Sequence, residues 1–170
     1  TGDGWIQQAK ITADDPHTED NFGCSVAVEG NTVVIGADGK DQGFLVDAGA
    51  AYIFIRNQGT WKQQAKLTTA RPKMWDYFGT SVAIYGHRAV IGATQANLMG
   101  ELGTGAAYVF VRNGKSWNLE AILSPDDGRP GDFFGHSVGI FDDTIVVGAL
   151  LSDPYIENNR LINAGSVYVF

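Results

Sequence analysis

One cysteine, three histidines and two methionines are all that 170 residues hold of the usual metal-binding and redox side chains. A lone Cys24 leaves no intramolecular disulfide framework, and it is expected as a small buried side chain. His17, His87 and His136 stand in no metal-ligand spacing such as H-E-x-x-H. There is no G-x-S-x-G, no phosphate-binding Walker loop and no dinucleotide fingerprint, so no enzyme is expected. Basic residues are short as well: 12 against 19 acidic ones leave a net charge of -7. That excludes a protein that tracks nucleic-acid phosphates, which needs a basic surface to displace counterions. No apolar run of about 18 residues occurs, so no membrane insertion is expected, and Thr1-Gly2-Asp3-Gly4 does not read as a targeting segment. An apolar fraction of 44% with 18% charged residues excludes wholesale disorder. The length suits a single domain.

What is abundant is glycine. The 22 glycines are roughly twice the usual share of about 7%, spread without a triplet period, which implies many tight turns. Their placement exposes a repeat. Trp5, Trp61 and Trp117 are 56 residues apart, as are Phe22-Gly23, Phe78-Gly79 and Phe134-Gly135, and again Gly36-Ala37, Gly92-Ala93 and Gly148-Ala149. Tyr52, Tyr108 and Tyr168 follow at intervals of 56 and then 60, so the third copy carries four extra residues between Ala149 and Gly165. A fixed period of this length decides architecture before local patterns do.

Within a copy the apolar period is two, and β-branched and aromatic residues fill short segments between turn signals. Four strands per copy are expected, in the first at residues 5–12, 24–29, 32–37 and 50–56. Gly30-Asn31 and its counterparts Gly86-His87 and Asp142-Asp143 read as tight hairpins, as do Gln58-Gly59 and Asn113-Gly114. The expected fold class is all-β: propeller blades made of three four-stranded antiparallel repeats of about 56 residues, at 5–60, 61–116 and 117–170. A β-sandwich built by duplication is the alternative.

The string Asp20-Asn21-Phe22-Gly23-Cys24-Ser25-Val26, then Val33-Val34-Ile35-Gly36-Ala37 and Gly49-Ala50-Ala51-Tyr52-Ile53-Phe54, resembles the FG-GAP repeat of integrin α-subunit propellers. It is most similar to the bacterial-type repeats that also carry a Trp strand. The resemblance implies a β-propeller, usually extracellular or at the cell surface, used for adhesion or ligand binding, with calcium in some members. The calcium loop of those members is an Asp-rich segment between the FG and GA strands. Here that connection shrinks to Glu29-Gly30-Asn31-Thr32 and its two counterparts, too short to supply the six to eight oxygens calcium needs. No metal site and no cofactor are therefore expected, calcium in the acidic loops being the one weak alternative.

Phe22, Phe78 and Phe134 read as core anchors. Asp20, Asp76 and Asp132, two residues ahead of each Phe, read as acceptors for backbone N–H groups. His136-Ser137 is not a base and nucleophile pair, since its counterparts are Cys24-Ser25 and Thr80-Ser81.

Antiparallel alternation puts the tight hairpins at one end of the blades and the long, variable loops (12–21, 38–48, 68–77, 94–104, 124–133 and 150–164) at the other. Those loops hold fourteen acids against five bases. Variable loops on a fixed scaffold are where recognition resides. The candidate ligand-binding residues are the aromatics Trp75, Tyr77, Phe44 and Tyr155 with the acids Asp14, Asp15, Asp126 and Asp127. A protein ligand is expected, in an extracellular interaction or scaffold module, with a carbohydrate-binding propeller as the alternative.

Three blades fall short of the four to eight a closed propeller uses. The first Trp strand lacks a hairpin partner, and Tyr168-Val169-Phe170 lacks a Trp strand after it. Unpaired edges seek strands, so the chain is expected to pair with itself by strand exchange in a head-to-tail homodimer, with a longer array or a filament as alternatives.

Overall fold

Each turn signal lands where a chain of alternating apolar residues must reverse, and the backbone obliges. In the computed structural model, which describes residues 4–97, 103–156 and 159–170, β1 (Val26–Glu29) turns at Gly30, φ 55°, into β2 (Thr32–Ala37), and β3 (Ala50–Asn57) turns through Gln58 and Gly59, both at positive φ, into β4 (Thr60–Leu67). Two consecutive positive φ values are what a tight hairpin matched to strand twist requires. The second copy repeats this as β5 (Phe78–Tyr85), β6 (Arg88–Ala93), β7 (Ala106–Asn113) and β8 (Ser116–Leu123). The third gives β9 (Phe134–Phe141), β10 (Thr144–Ala149) and β13 (Ser166–Val169). The longer loop of that copy houses a two-residue hairpin, β11 (Tyr155–Ile156) with β12 (Asn159–Arg160).

The pairing within each sheet is antiparallel, in the orders β1-β2-β3-β4, β5-β6-β7-β8 and β9-β10-β13, and parallel bridges Gly49–Phe78 and Gly105–Phe134 join consecutive blades. Three stacked sheets in repeat order make a propeller-like stack and not a duplicated sandwich. No helix of the described residues is long and apolar enough to cross a membrane.

Stacking explains why the central strands lack a polar face. Along β3, Ala51 and Ile53 point to one side and Tyr52 and Phe54 to the other, and all four are buried. We call the first side the back of a blade and the second its front. The back of blade 1 (Val34, Ala51, Ile53, Leu67) shares one core with the front of blade 2 (Phe78, Val82, Ile91, Tyr108, Phe110). The back of blade 2 (Val90, Ala107, Val109) likewise meets the front of blade 3 (Phe134, Val147, Ala149). Each FG phenylalanine seats edge-on against the Tyr and Phe of its own third strand, at 5.3–5.4 Å and 6.1 Å between ring centres. That geometry suits aromatic quadrupoles and makes the three phenylalanines the anchors expected of them.

The joints are as regular as the cores. Ser25 Oγ donates to Gly79 O and Ser81 Oγ to Gly135 O, each at 2.7 Å. Phe78 N–H reaches Ala48 O, and Phe134 N–H reaches Thr104 O. Backbones come so close here that a Cβ on Gly36 would lie 1.9 Å from Gly79 O, and one on Gly92 1.9 Å from Gly135 O. This is the physical requirement behind the GA glycine.

Three expectations need correction. Residues 5–12 form no strand, because no third strand among the described residues pairs with them. Blade 3 has three strands instead of four, because the Trp strand that opens its repeat, β8, pairs as the outer strand of blade 2. Cys24 is exposed, as is its equivalent His136; its thiol donates to Gly79 O at 3.4 Å.

Candidate interaction surfaces

At the long-loop end the three capping aspartates behave alike. Asp20, Asp76 and Asp132 are buried and accept the backbone N–H three residues earlier, from His17, Lys73 and Arg129, at 2.7, 2.8 and 2.8 Å. What surrounds the carboxylates differs. In blade 1 the buried Lys40 brings its ammonium to Asp20 and to His17 Nδ1, 2.8 Å from each, and to Asp15 O. Asp15 also accepts from Tyr52 OH at 2.9 Å and from Lys66 at 2.8 Å. Burial alone raises the Asp15 carboxyl, but the hydrogen bonds from Lys66 and Tyr52 and the charges of Lys66 and Lys40 outweigh it and hold the group below the ordinary carboxylate range. Burial and then the Asp15 contact push the Tyr52 hydroxyl well up. In blade 3 the Tyr168 hydroxyl donates to Asp127 at 2.9 Å in the same way.

Asp15 and Asp127, expected as ligand-binding acids, each accept a hydrogen bond from a tyrosine hydroxyl and keep part of their carboxylate exposed. The cause is plain: strand register carries the Tyr-x-Phe tyrosine to the loop that precedes its own FG. Asp14 and Asp126 are exposed, on different blades. Trp75 and Tyr77 take positive φ, 64° and 53°, unusual for bulky side chains. Their N–H groups cross to Val46 O and Asp47 O in the neighbouring blade's loop, at 2.9 and 3.1 Å. Trp75 is half-exposed and Phe44 fully exposed. Burial, and then the charges of Asp41, Asp38 and Glu19, raise the Asp47 carboxyl in the same region. The side chain of Tyr155 lies outside the described residues. The loops thus bring Trp75 and Tyr77 beside Val46 and Asp47.

No group of three or more His, Cys, Asp or Glu side chains among the described residues is placed to hold a metal ion. The turns between β1 and β2, β5 and β6, and β9 and β10 are two residues long, which does not fit calcium's coordination demand.

A second kind of surface went unread in the sequence. The back of blade 3 is bare: Val167 and Val169 are 71% and 68% exposed, whereas their equivalents Ala107 and Val109 are 0% and 3%. The front of blade 1 is partly bare, with Val26 at 66% against 9% for its equivalent Val82. Between Ser137, Gly148, Ala164 and Gly165 lies a cavity of about 420 Å3. These residues are equivalent to those that receive the next blade's FG turn at the two internal joints. On the front of blade 1, Ile11 and Ala13 pack into the Tyr52 and Phe54 cluster, at the repeat position that Leu67 fills on blade 2. The segment before blade 1 thus lies where a preceding blade's outer strand would lie. Exchange of large for small apolar residues at equivalent positions (Ala51, Ala107, Val167) is the trace it left in the sequence.

A family model for the FG-GAP repeat matches residues 5–54, 61–110 and 117–170. No curated protein matches the chain.

Proposed function

Because the chain belongs to the FG-GAP repeat family, an integrin-like, adhesion-type repeat module, we propose that it is a non-enzymatic interaction and scaffold module that assembles blade to blade. FG-GAP repeats are typical of extracellular or surface proteins, and that membership supports an extracellular site of action. The observation that carries the reading is the pair of bare faces. The back of blade 3 and the front of blade 1 are complementary by repeat symmetry, and neither is covered by a neighbouring blade as at the two buried joints.

The occupant is a blade of the same type, supplied by a second copy when the 170-residue chain stands alone. Internal pairing fixes the register. Tyr52 pairs with Lys66 and Tyr108 with Ile122, so Tyr168 pairs with Lys10 of the second copy. Ser137 Oγ donates to Gly23 O, and Phe22 N–H donates to Ala164 O. Two copies joined head to tail at both ends make six blades, within the closed range, and leave the long-loop ends free for ligands.

Sedimentation equilibrium of the 170-residue chain at micromolar concentration tests this. A dimer is expected, reduced to a folded monomer by Val169→Glu. A wild-type chain that is folded and strictly monomeric overturns it. The half-exposed Trp75 ring supports a second reading, glycan binding at the loop end. A glycan array checks it, with loss of binding expected in Trp75→Ala.

A further inference from the structure

Blade 2 repeats the loop-end architecture of blade 1 with its cations removed. Lys40 becomes Ala96 and Lys66 becomes Ile122 at equivalent positions. The backbone is unchanged: Lys40 N–H and Ala96 N–H bond Ala37 O and Ala93 O, and their carbonyls accept from Gly49 and Gly105. Where the two ammonium groups sit in blade 1, blade 2 has a cavity of about 420 Å3. Its floor carries Asp76, 4% exposed, and two buried atoms without a hydrogen-bond partner, Thr69 Oγ1 and Asn97 Oδ1. Buried polar atoms almost always have partners, so unpartnered ones facing a cavity point to something that enters it.

The rim has the opposite character. The tyrosine-binding acid of blades 1 and 3, Asp15 and Asp127, is Arg71 here, exposed and lining the cavity mouth, and Leu119 and Ile122 form a half-apolar wall. Lys73 turns its ammonium to Asn97 O, and no ion pair within 4 Å joins Asp76 to a described cation. Burial correspondingly raises the Asp76 carboxyl, which the Lys73 N–H and charge offset only in part.

We propose that this cavity binds a free α-amino acid with an apolar side chain. The ammonium occupies the seat of the Lys40 Nζ, donating to Asp76, Asn97 Oδ1 and Thr69 Oγ1. The carboxylate meets the Arg71 guanidinium at the mouth, and the side chain lies along Leu119 and Ile122. Acceptors inside and a guanidinium outside select a zwitterion over a simple cation or anion.

Isothermal titration of the 170-residue chain with L-leucine, 3-methylbutylamine and 3-methylbutanoate tests the assignment. Leucine is expected to bind, the amine about tenfold or more weakly, as loss of one charge-assisted contact implies, and the acid not measurably. Ala96→Lys rebuilds the blade 1 lysine on a backbone already shown to hold it; it should abolish leucine binding and raise the thermal midpoint. Arg71→Ala should reduce leucine to the affinity of the amine and leave the amine unchanged. Absence of leucine binding at millimolar concentration overturns the proposal. So does amine binding equal to leucine in the wild type, or leucine binding that survives Ala96→Lys.

Discussion

Lys40 shows how much one side chain settles. Its ammonium and the Asp20 carboxylate are 2.8 Å apart and both are almost fully buried, so neither has water to fall back on. Removing one partner of such a pair leaves an uncompensated buried charge and costs about 3–5 kcal/mol. Lys40→Met, which keeps the volume, is expected to lower the unfolding free energy by that amount in urea titrations. The surface pair between Arg88 and Glu120 should change little when broken.

Proton linkage separates blades 1 and 2. The Asp15 pKa is depressed in the folded state, so its contribution is complete above the ordinary 3.8 and is lost as pH falls through the lower folded value. The Asp76 pKa is raised, so a penalty is in force above its folded value and is relieved as pH falls through it. Carboxyl NMR titration is expected to find Asp76 above 3.8 and Asp15 below it, with Asp76 falling in Ala96→Lys. The same titration finding Asp76 below Asp15 contradicts the ligand-ready blade 2 pocket. None of this was legible in the sequence. The recurrence of Asp15 and Asp127 was visible, but the strand register that hands them Tyr52 and Tyr168 was not.

At the scale of strands, the hairpins were readable because each depends on local chemistry: period-two apolar runs broken by Gly, Asn or Asp that accept positive φ. Residues 5–12 have the same pattern as β4 and β8 and still form no strand, because a strand exists only by pairing and no third strand among the described residues pairs with them. Glycine at the joint makes the distinction testable. In Gly92→Ala the new Cβ meets a backbone oxygen of blade 3 at 1.9 Å. A backbone cannot swing aside as a side chain does, so the cost belongs at the upper end of overpacking, about 3 kcal/mol. In Gly148→Ala the first atom met is the rotatable Ser137 hydroxyl at 2.4 Å, and no backbone oxygen stands nearer than 3.8 Å. That chain is expected to keep a near-wild-type thermal midpoint as a monomer and to lose dimerisation, because the new methyl fills the place of the incoming Gly23 carbonyl. Thermal unfolding and sedimentation of the two variants together check this.

For the whole molecule, the direction of assembly follows from the asymmetry of a blade. The bare back of blade 3 presents Val146, Val167 and Val169, and the front of blade 1 presents Phe22, Val26 and Val28. The two internal joints always put back against front. A head-to-tail contact therefore needs one good back and one good front, from different copies. A chain with Val169→Glu has only its front, and a chain with Val28→Glu has only its back, so each alone is expected to sediment as a monomer. Mixed in equal amounts, they should form a heterodimer through the single joint that remains intact. A closed wild-type pair engages two joints at once, and the second forms at a high effective concentration. The mixed pair should accordingly dissociate at concentrations roughly 10²–10⁴-fold higher. A symmetric interface gives the opposite pattern: if fronts paired with fronts, Val169→Glu alone would remain dimeric and mixing would add nothing. Sedimentation velocity of the two variants, separate and mixed, distinguishes these arrangements.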